Sequence, residues 1–360
     1  MPALSPKLSQ IDDYPAFLNA CWQEHLAPRA ADAPTVISTF AGAGGSSLGY
    51  SMAGFRELLA VEWDDNAVAT FQLNFPDVSV YHGDIAKLSV EDVLQRTGLQ
   101  PGQLDVFDGS PPCQGFSTVG KRDFYDDRNQ LFREYVRLLR GLRPKVFVME
   151  NVSGMVKGKM KLVFAEILRE LKASGYKVSA RLLNAMYFNV PQSRERMIFV
   201  GVREDLGIEP SHPQAQSVPV TVKNAWAGVN SQGTPIPESA LPLARLIPQG
   251  DSNGGGKYSR GLNGTTNNFG LSRLAWDKPS CTIPKTSILN SSILQPDKHE
   301  RLSIEQAQRI GSFPDEYRLI GDFPSKWARI GNSVPPLMMR SVAKHIRAEI
   351  LDRIESTNAP

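Results

Sequence analysis

From Thr35 to about Gly201 the chain alternates between short apolar runs and longer amphipathic ones. The runs Val36–Phe40, Leu58–Val61, Val78–Tyr81, Leu104–Phe107, Val146–Met149 and Met197–Val202 have the length and side chains of buried strands. Between them, Leu48–Met52, Asn66–Asn74, Leu131–Leu142 and Leu162–Ala173 carry helical spacing. Strands alternating with helices predict an α/β fold, a mixed and mostly parallel sheet with helices on both faces. Ahead of this region Tyr14, Phe17, Leu18, Cys21, Trp22 and His25 recur at helical spacing after the start signal Asp12-Asp13-Tyr14-Pro15. Residues 1–33 therefore read as an N-terminal helical extension that packs on the main domain.

The alternation fails from about Glu204 to Glu300. Seven prolines lie between 205 and 250, and residues 250–270 are rich in glycine and asparagine. A structureless loop of this length is foreign to a compact domain, so residues 204–301 predict a second, loop-rich domain with short strands. Helical periodicity returns after Arg301. Met338, Val342, Ile346, Ile350 and Ile354, spaced by fours, predict a closing helix on the first domain, which then comprises 34–203 and 302–360.

Composition adds boundaries. The 360 residues carry a formal net charge of +3, which permits a nucleic-acid partner without demanding one. Three cysteines, an odd number, argue against a disulfide framework and for a reducing compartment. The five histidines form no HExxH and the cysteines no CxxC, so no metal site is legible. No apolar run approaches the ~18 residues of a membrane span, and no basic-then-apolar leader opens the chain. A cytoplasmic protein without a membrane partner is expected.

The candidate chemistry sits where strands end. Gly109-Ser110-Pro111-Pro112-Cys113-Gln114-Gly115-Phe116-Ser117 follows the run Leu104–Phe107. Two prolines stiffen the approach to Cys113, and the glycines beyond loosen it, an arrangement that suits a nucleophile aimed first and covered afterwards. A lone cysteine is as often a small buried hydrophobe. Phe40-Ala41-Gly42-Ala43-Gly44-Gly45 joins a strand to a helix, where glycines let the backbone approach a ligand. Glu62, twenty residues beyond Gly42, is placed to accept from ribose hydroxyls. Trp63 offers a ring to an adenine, and Asp84 an acceptor for its amino group. These point to an adenosine-containing cofactor. The glycine spacing is not a clean GxGxxG, so it supports NAD poorly. Glu150, in Met149-Glu150-Asn151-Val152, ends another strand and suits a proton donor or an ion pair alike. Arg194 and Arg196, alternating before and into Met197–Val202, point to one strand face and into a cleft, or bind Glu195 or a phosphate. In the loop after Cys113, Lys121, Arg122 and Arg128 are positioned to meet phosphates, or simply solvent.

Taken together, these stretches resemble the DNA (cytosine-5)-methyltransferase family. The likeness rests on Phe40–Gly45, Glu62-Trp63, Gly83-Asp84-Ile85, Gly109–Ser117, Glu150-Asn151-Val152, Gln192–Arg196, Arg273–Ile283 and Gly331–Pro336, in that order. It implies a Rossmann-like, S-adenosyl-L-methionine-binding catalytic domain, with residues 204–301 as a target-recognition domain. It further implies that Cys113 attacks C6 of a cytosine flipped out of double-stranded DNA, making C5 reactive towards the cofactor's methyl group. Glu150 would engage N3, Arg194 would hold the base carbonyl, and Arg196 would support the site. Asn151 would orient the Pro111-Pro112 turn. Phe40, Gly42, Ala43, Gly44, Gly45, Glu62, Trp63, Asp84, Ile85, Pro112, Asn332 and Ser333 would bind the cofactor, with no metal. Gln114, Ser117, Lys121, Arg122 and Arg128 would contact DNA. A bacterial, sequence-specific monomer is expected. The rivals are a tRNA cytosine-5 methyltransferase, a catalytically silent DNA-binding protein, and an NAD-dependent oxidoreductase.

Overall fold

The computed structural model describes residues 8–112, 130–156, 160–263, 270–286 and 292–358. The chain divides into two compact units that interleave along the sequence. One, the sheet unit, comprises Gln23–Asn184, Glu195–Gln214 and Met339–Pro360. The other, the loop-rich unit, comprises Met1–Trp22, Ala185–Arg194 and Ala215–Met338.

Helix α1 (Tyr14–Leu26) begins as its start signal predicts: the Asp13 carboxylate accepts from the backbone N–H of Ala16 at 2.9 Å. In the sheet unit, seven strands follow: β1 (Thr35–Thr39), β2 (Arg56–Glu62), β3 (Ser79–His82), β4 (Val106–Gly109), β5 (Val146–Val152), β6 (Tyr176–Asn184) and β7 (Glu195–Arg203). They lie in the order β3-β2-β1-β4-β5-β7-β6. The first five are parallel, whereas β7 runs antiparallel to both β5 and β6. Every residue of β1, Thr-Val-Ile-Ser-Thr, is buried, as β-branched residues are when helices cover both faces of a parallel sheet. This is the mixed α/β architecture expected, extended by β6, which the apolar runs did not reveal.

Helices α2 (Gly45–Met52), α3 (Asp65–Asn74), α4 (Val90–Thr97), α5 (Gln130–Leu142) and α6 (Met160–Lys172) connect the strands. Asp64 caps α3 by accepting from Ala67 N–H at 2.8 Å, and Ser89 with Asp92 forms a capping box on α4. Buried Phe132, Tyr135, Leu138, Leu139 and Leu142 make one stripe of α5 and leave Arg133, Arg137 and Arg140 on the other side. That stripe packs on Ile37, Leu59, Phe107, Phe147 and Phe199 of the sheet. Each such side chain contributes about 1.5–3 kcal/mol on burial. The Phe107 and Tyr135 rings stack at 4.9 Å, and Tyr135 donates to the Val148 carbonyl at 3.2 Å. Gly109 ends β4 under this ring: a Cβ there would lie 2.4 Å from Thr39 Oγ1 and 2.7 Å from Tyr135. The final segment of the chain belongs to this unit, where Arg340 makes a two-armed ion pair with Glu24 at 2.7 and 2.6 Å.

In the loop-rich unit the described residues between 215 and 301 form only short elements, and the helices Ile304–Ile310 and Phe323–Asn332 follow them. Four two-residue strands, β8 (Thr234–Pro235), β9 (Ser272–Arg273), β10 (Ile293–Leu294) and β11 (Glu300–Arg301), lie in the order β8-β11-β10-β9. A small core of Ala244, Ile247, Leu271 and Leu294 supports them. So few ladder bonds leave carbonyls to be satisfied otherwise, and buried Arg273 does much of this. Its guanidinium donates to the carbonyls of Ile247, Ala244, Gln295 and Lys298 at 2.7–3.1 Å. The Trp22 and Tyr317 rings meet edge to face at 6.2 Å in the same unit. Among the described residues no helix is long and apolar enough to cross a membrane, and no cluster of three or more His, Cys, Asp or Glu could hold a metal ion.

Candidate active site

The C-terminal ends of β1 to β5 share one edge of the sheet, and strand order reverses between β1 and β4. The segments leaving β1 and β4 diverge there, which opens the crevice where sheets of this kind hold ligands.

The segment after β1 is the glycine turn. Phe40 has φ 55°, Gly42 φ 56° and Gly44 φ 85°. The left-handed backbone at Phe40 costs of the order of 1 kcal/mol and marks a place where geometry matters more than comfort. Ala41 N–H bonds the Val61 carbonyl at 3.1 Å, and Gly44 N–H closes the turn on Ala41 at 3.0 Å. Gly42 N–H donates to Glu62 Oε2 at 2.7 Å. The other carboxylate oxygen of Glu62 accepts from the N–H groups of Trp63 and Asp64 at 2.8 and 3.0 Å. Glu62 thus joins the turn to the end of β2, and Oε2, with one of these bonds, keeps a lone pair for a hydroxyl.

Three observations fit an adenosine-bearing cofactor here. The space above Gly42 is open, since a Cβ would meet nothing within 4 Å. The Trp63 indole is 77% exposed, available for stacking. Asp84 is exposed two residues beyond β3, with Oδ1 accepting from Ala86 N–H at 3.0 Å. Ile85 is buried in the core, so it can offer only backbone. Ala43, Gly44 and Gly45 are buried, and Gly45 begins α2.

The segment after β4 runs through buried Pro111 to exposed Pro112. Asn151, on neighbouring β5, donates to the Pro111 carbonyl at 3.1 Å, so it orients the proline turn as expected. Beside it Glu150, 9% exposed, pairs with Arg196 of β7: Nε lies 2.7 Å from Oε1, with both side chains nearly buried. Cys113, Gln114, Ser117, Lys121, Arg122 and Arg128 lie outside the described residues.

Arg194 and Arg196 do not share a strand face. Strand β7 starts at Glu195, and Arg194 belongs to the loop-rich unit. There it is 2% exposed and donates to the carbonyls of Ile283 and Gly331 at 3.0 and 2.7 Å. Gln192 and Ser193 stitch the same segment to the backbone of Ile283, Ile310 and Ser280. Asn332 and Ser333 also lie in the loop-rich unit. Asn332 is the exposed last residue of the helix Phe323–Asn332, and Ser333 Oγ donates to the Arg329 carbonyl at 2.7 Å. Sequence reasoning passed over Asp108, a buried acid inside β4. Its signal was an aspartate directly after the apolar pair Val106-Phe107.

The family model for C-5 cytosine-specific DNA methylases matches residues 34–348, most of the chain. The chain belongs to that family. It is a DNA (cytosine-5)-methyltransferase. The Type II methyltransferase M1.HphI of Haemophilus parahaemolyticus is 34% identical over 327 residues, covering 87% of this chain and 86% of that protein. M.Sau96I of Staphylococcus aureus is 32% identical over 338 residues, covering 86% of this chain and 75% of that protein. Two solved structures share the fold. Spodoptera frugiperda DNMT2 has a TM-score of 0.64 at 19% identity and covers 87% of this chain and 99% of its own. The S. pombe Dnmt2 methyltransferase has a TM-score of 0.62 at 17% identity and covers 91% of this chain and 100% of its own. The glycine turn and the Glu150–Arg196 pair both lie where strands β1, β2, β5 and β7 of the one sheet begin or end.

Proposed function

We propose that this DNA methylase flips one cytosine out of duplex DNA and methylates it at C5 with S-adenosyl-L-methionine, as a sequence-specific Type II modification enzyme. The observation that carries this reading is the near-buried Glu150–Arg196 pair beside the Asn151–Pro111 bond, at the end of the chain's approach to Cys113. A base stacked in a duplex cannot present C6 to a thiolate, so extrusion comes first, at roughly a few kcal/mol of lost stacking. The Cys113 thiolate adds to C6 and pushes electron density onto C5. Glu150 delivers a proton to N3 as the thiolate adds, which neutralises the charge that develops there. Once C5 carries the methyl group, loss of its proton to solvent and elimination of Cys113 restore the aromatic ring and the free thiolate. When bound, the cofactor supplies an electrophilic methyl group. Glu62 would receive the ribose hydroxyls, Trp63 would stack on the adenine, Asp84 and the Ile85 backbone would take its edge, and the Phe40–Gly45 turn would accommodate the methionine end.

The geometry favours a change of roles between the arginines. Arg196, already against Glu150, is the one to hold the base carbonyl. Arg194, occupied with two backbone carbonyls, organises the Gly331-Asn332-Ser333 corner. Residues 204–301 serve target recognition, since irregular loops can follow the major groove where base identity is legible. Gln114, Ser117, Lys121, Arg122 and Arg128 contact DNA. The similarity to relatives named Type II methyltransferases supports the modification role. The test is methyl transfer from radiolabelled cofactor to duplex DNA and to tRNA, with bisulfite sequencing of the DNA product. The expected result is label in duplex DNA at one recurrent sequence context. Label in tRNA alone, or in neither, overturns the reading.

A further inference from the structure

Asp108 is 2% exposed and lies within β4, five residues before Cys113. Two hydroxyls of α2 reach its carboxyl: Ser46 Oγ donates to Oδ2 at 2.7 Å, and Tyr50 OH to Oδ1 at 3.3 Å. The donors are four residues apart, one helical turn, so they rise from one side of α2 and grip both oxygens. Across the sheet Asp108 pairs with Ser38 on one side and Val148 on the other. A carboxyl buried in such surroundings costs free energy that an apolar side chain would not. Burial pushes it up to about 7, an effect the hydroxyl bonds oppose and nearby Glu150 reinforces. No step of the proposed reaction uses this acid.

Its position supplies the reason. Ser46 follows Gly45, where the glycine turn passes into the helix. Asp108 precedes Gly109, where β4 passes into the segment that leads to Cys113. The bond between them is a direct side-chain link between these two segments. We propose that Asp108 is a positioning residue, which through Ser46 and Tyr50 holds the cofactor-binding turn in register with the strand that delivers the nucleophile. This deepens the cofactor reading given above and rests on it.

The test uses the full chain and S-adenosyl-L-homocysteine as probe, read by calorimetry, with DNA affinity read in parallel by fluorescence anisotropy. Wild-type protein is titrated first: no binding of the probe would sink the cofactor reading itself, separately from the role of Asp108. Given wild-type binding, Asp108→Ala should weaken the probe about tenfold, the worth of one buried hydrogen bond lost with its partner left unpaired. Affinity for DNA should stay within about twofold, because only one side of the link binds the cofactor. Ser46→Ala removes the other partner by a milder change and should produce a comparable loss. It carries the test alone if Asp108→Ala does not fold. The double variant should lose no more than about twofold beyond either single one, since both remove the same bond. Asp108→Asn, whose amide can accept from Ser46 and donate to Tyr50, should recover wild-type affinity to within about threefold. Unchanged probe affinity in the alanine variants, losses that multiply in the double variant, or a parallel fall in DNA affinity would each overturn the proposal.

Discussion

Arg196→Met removes a guanidinium and keeps most of the aliphatic stem, so it isolates the ion pair with Glu150. The two side chains are 14% and 11% exposed and meet at 2.7 Å. Removing one partner of a buried pair costs about 3–5 kcal/mol, because the remaining charge has lost both water and counter-charge. Some solvent reaches this pair, so the lower end applies, about 3 kcal/mol. For a unit of this size that corresponds to a fall in Tm of roughly 6–12 °C. Removing both charges should cost less than the sum. In Glu150→Gln/Arg196→Met no ion is stranded, and the coupling should recover about 1.5 kcal/mol or more. Circular-dichroism melts of the wild type, both single variants and the double variant close the cycle. A loss under about 1 kcal/mol in Arg196→Met, or strictly additive losses in the double variant, would show that the pair is not the buried one described. Methyl transfer should be abolished in all three variants.

Trp63→Ala removes a ring that is 77% exposed, so stability should stay within about 0.5 kcal/mol while S-adenosyl-L-homocysteine binds about fivefold more weakly. Calorimetry alongside a thermal melt checks both, and a large drop in Tm with unchanged affinity would contradict the stacking role. Gly109→Ala forces a Cβ to within 2.4 Å of Thr39 Oγ1 and 2.7 Å of the Tyr135 ring, and should destabilise by about 1–3 kcal/mol and depress methylation. Wild-type Tm and activity would refute the packing argument. Burial raises the Asp108 carboxyl from its ordinary 3.8 to about 7, so the stability tied to its protonated form is complete below 3.8 and lost as pH rises through 7. The Tm of Asp108→Asn minus that of the wild type should therefore climb between pH 5 and about 8.5, and a flat difference would contradict the assignment.

These strands were legible because each holds a short run of consecutive apolar residues, and the run pattern located β1 to β5 and β7 to within a few residues. Strand β6 escaped because it is an edge strand. Its Lys177, Ser179 and Arg181 alternate with Val178 and Ala180, so no continuous run forms. Helix α4 escaped because eight residues containing two acids and an arginine bury only Val93 fully. At the site, spacing set Glu62 twenty residues beyond Gly42 without foretelling that the two would bond, and the Asn151 contact with Pro111 was expected from the family resemblance alone. Arg194 and Arg196 were not readable, because periodicity cannot tell that the strand begins between them and leaves the first arginine to the carbonyls of Ile283 and Gly331. Asp108 shows the same limit from the other side. Its meaning lies in two hydroxyls about sixty residues away in the chain, and no local pattern announces them.

The proposed reaction turns on a covalent bond between Cys113 and C6 of a cytosine. Duplex DNA carrying 5-fluorocytosine at the methylated position blocks loss of the C5 substituent, so the enzyme should be captured on it as a denaturant-stable adduct that requires cofactor. Wild-type protein should form that adduct and Cys113→Ala should form none while still binding the duplex; an adduct that survives in Cys113→Ala, or none with an active wild type, would contradict the mechanism.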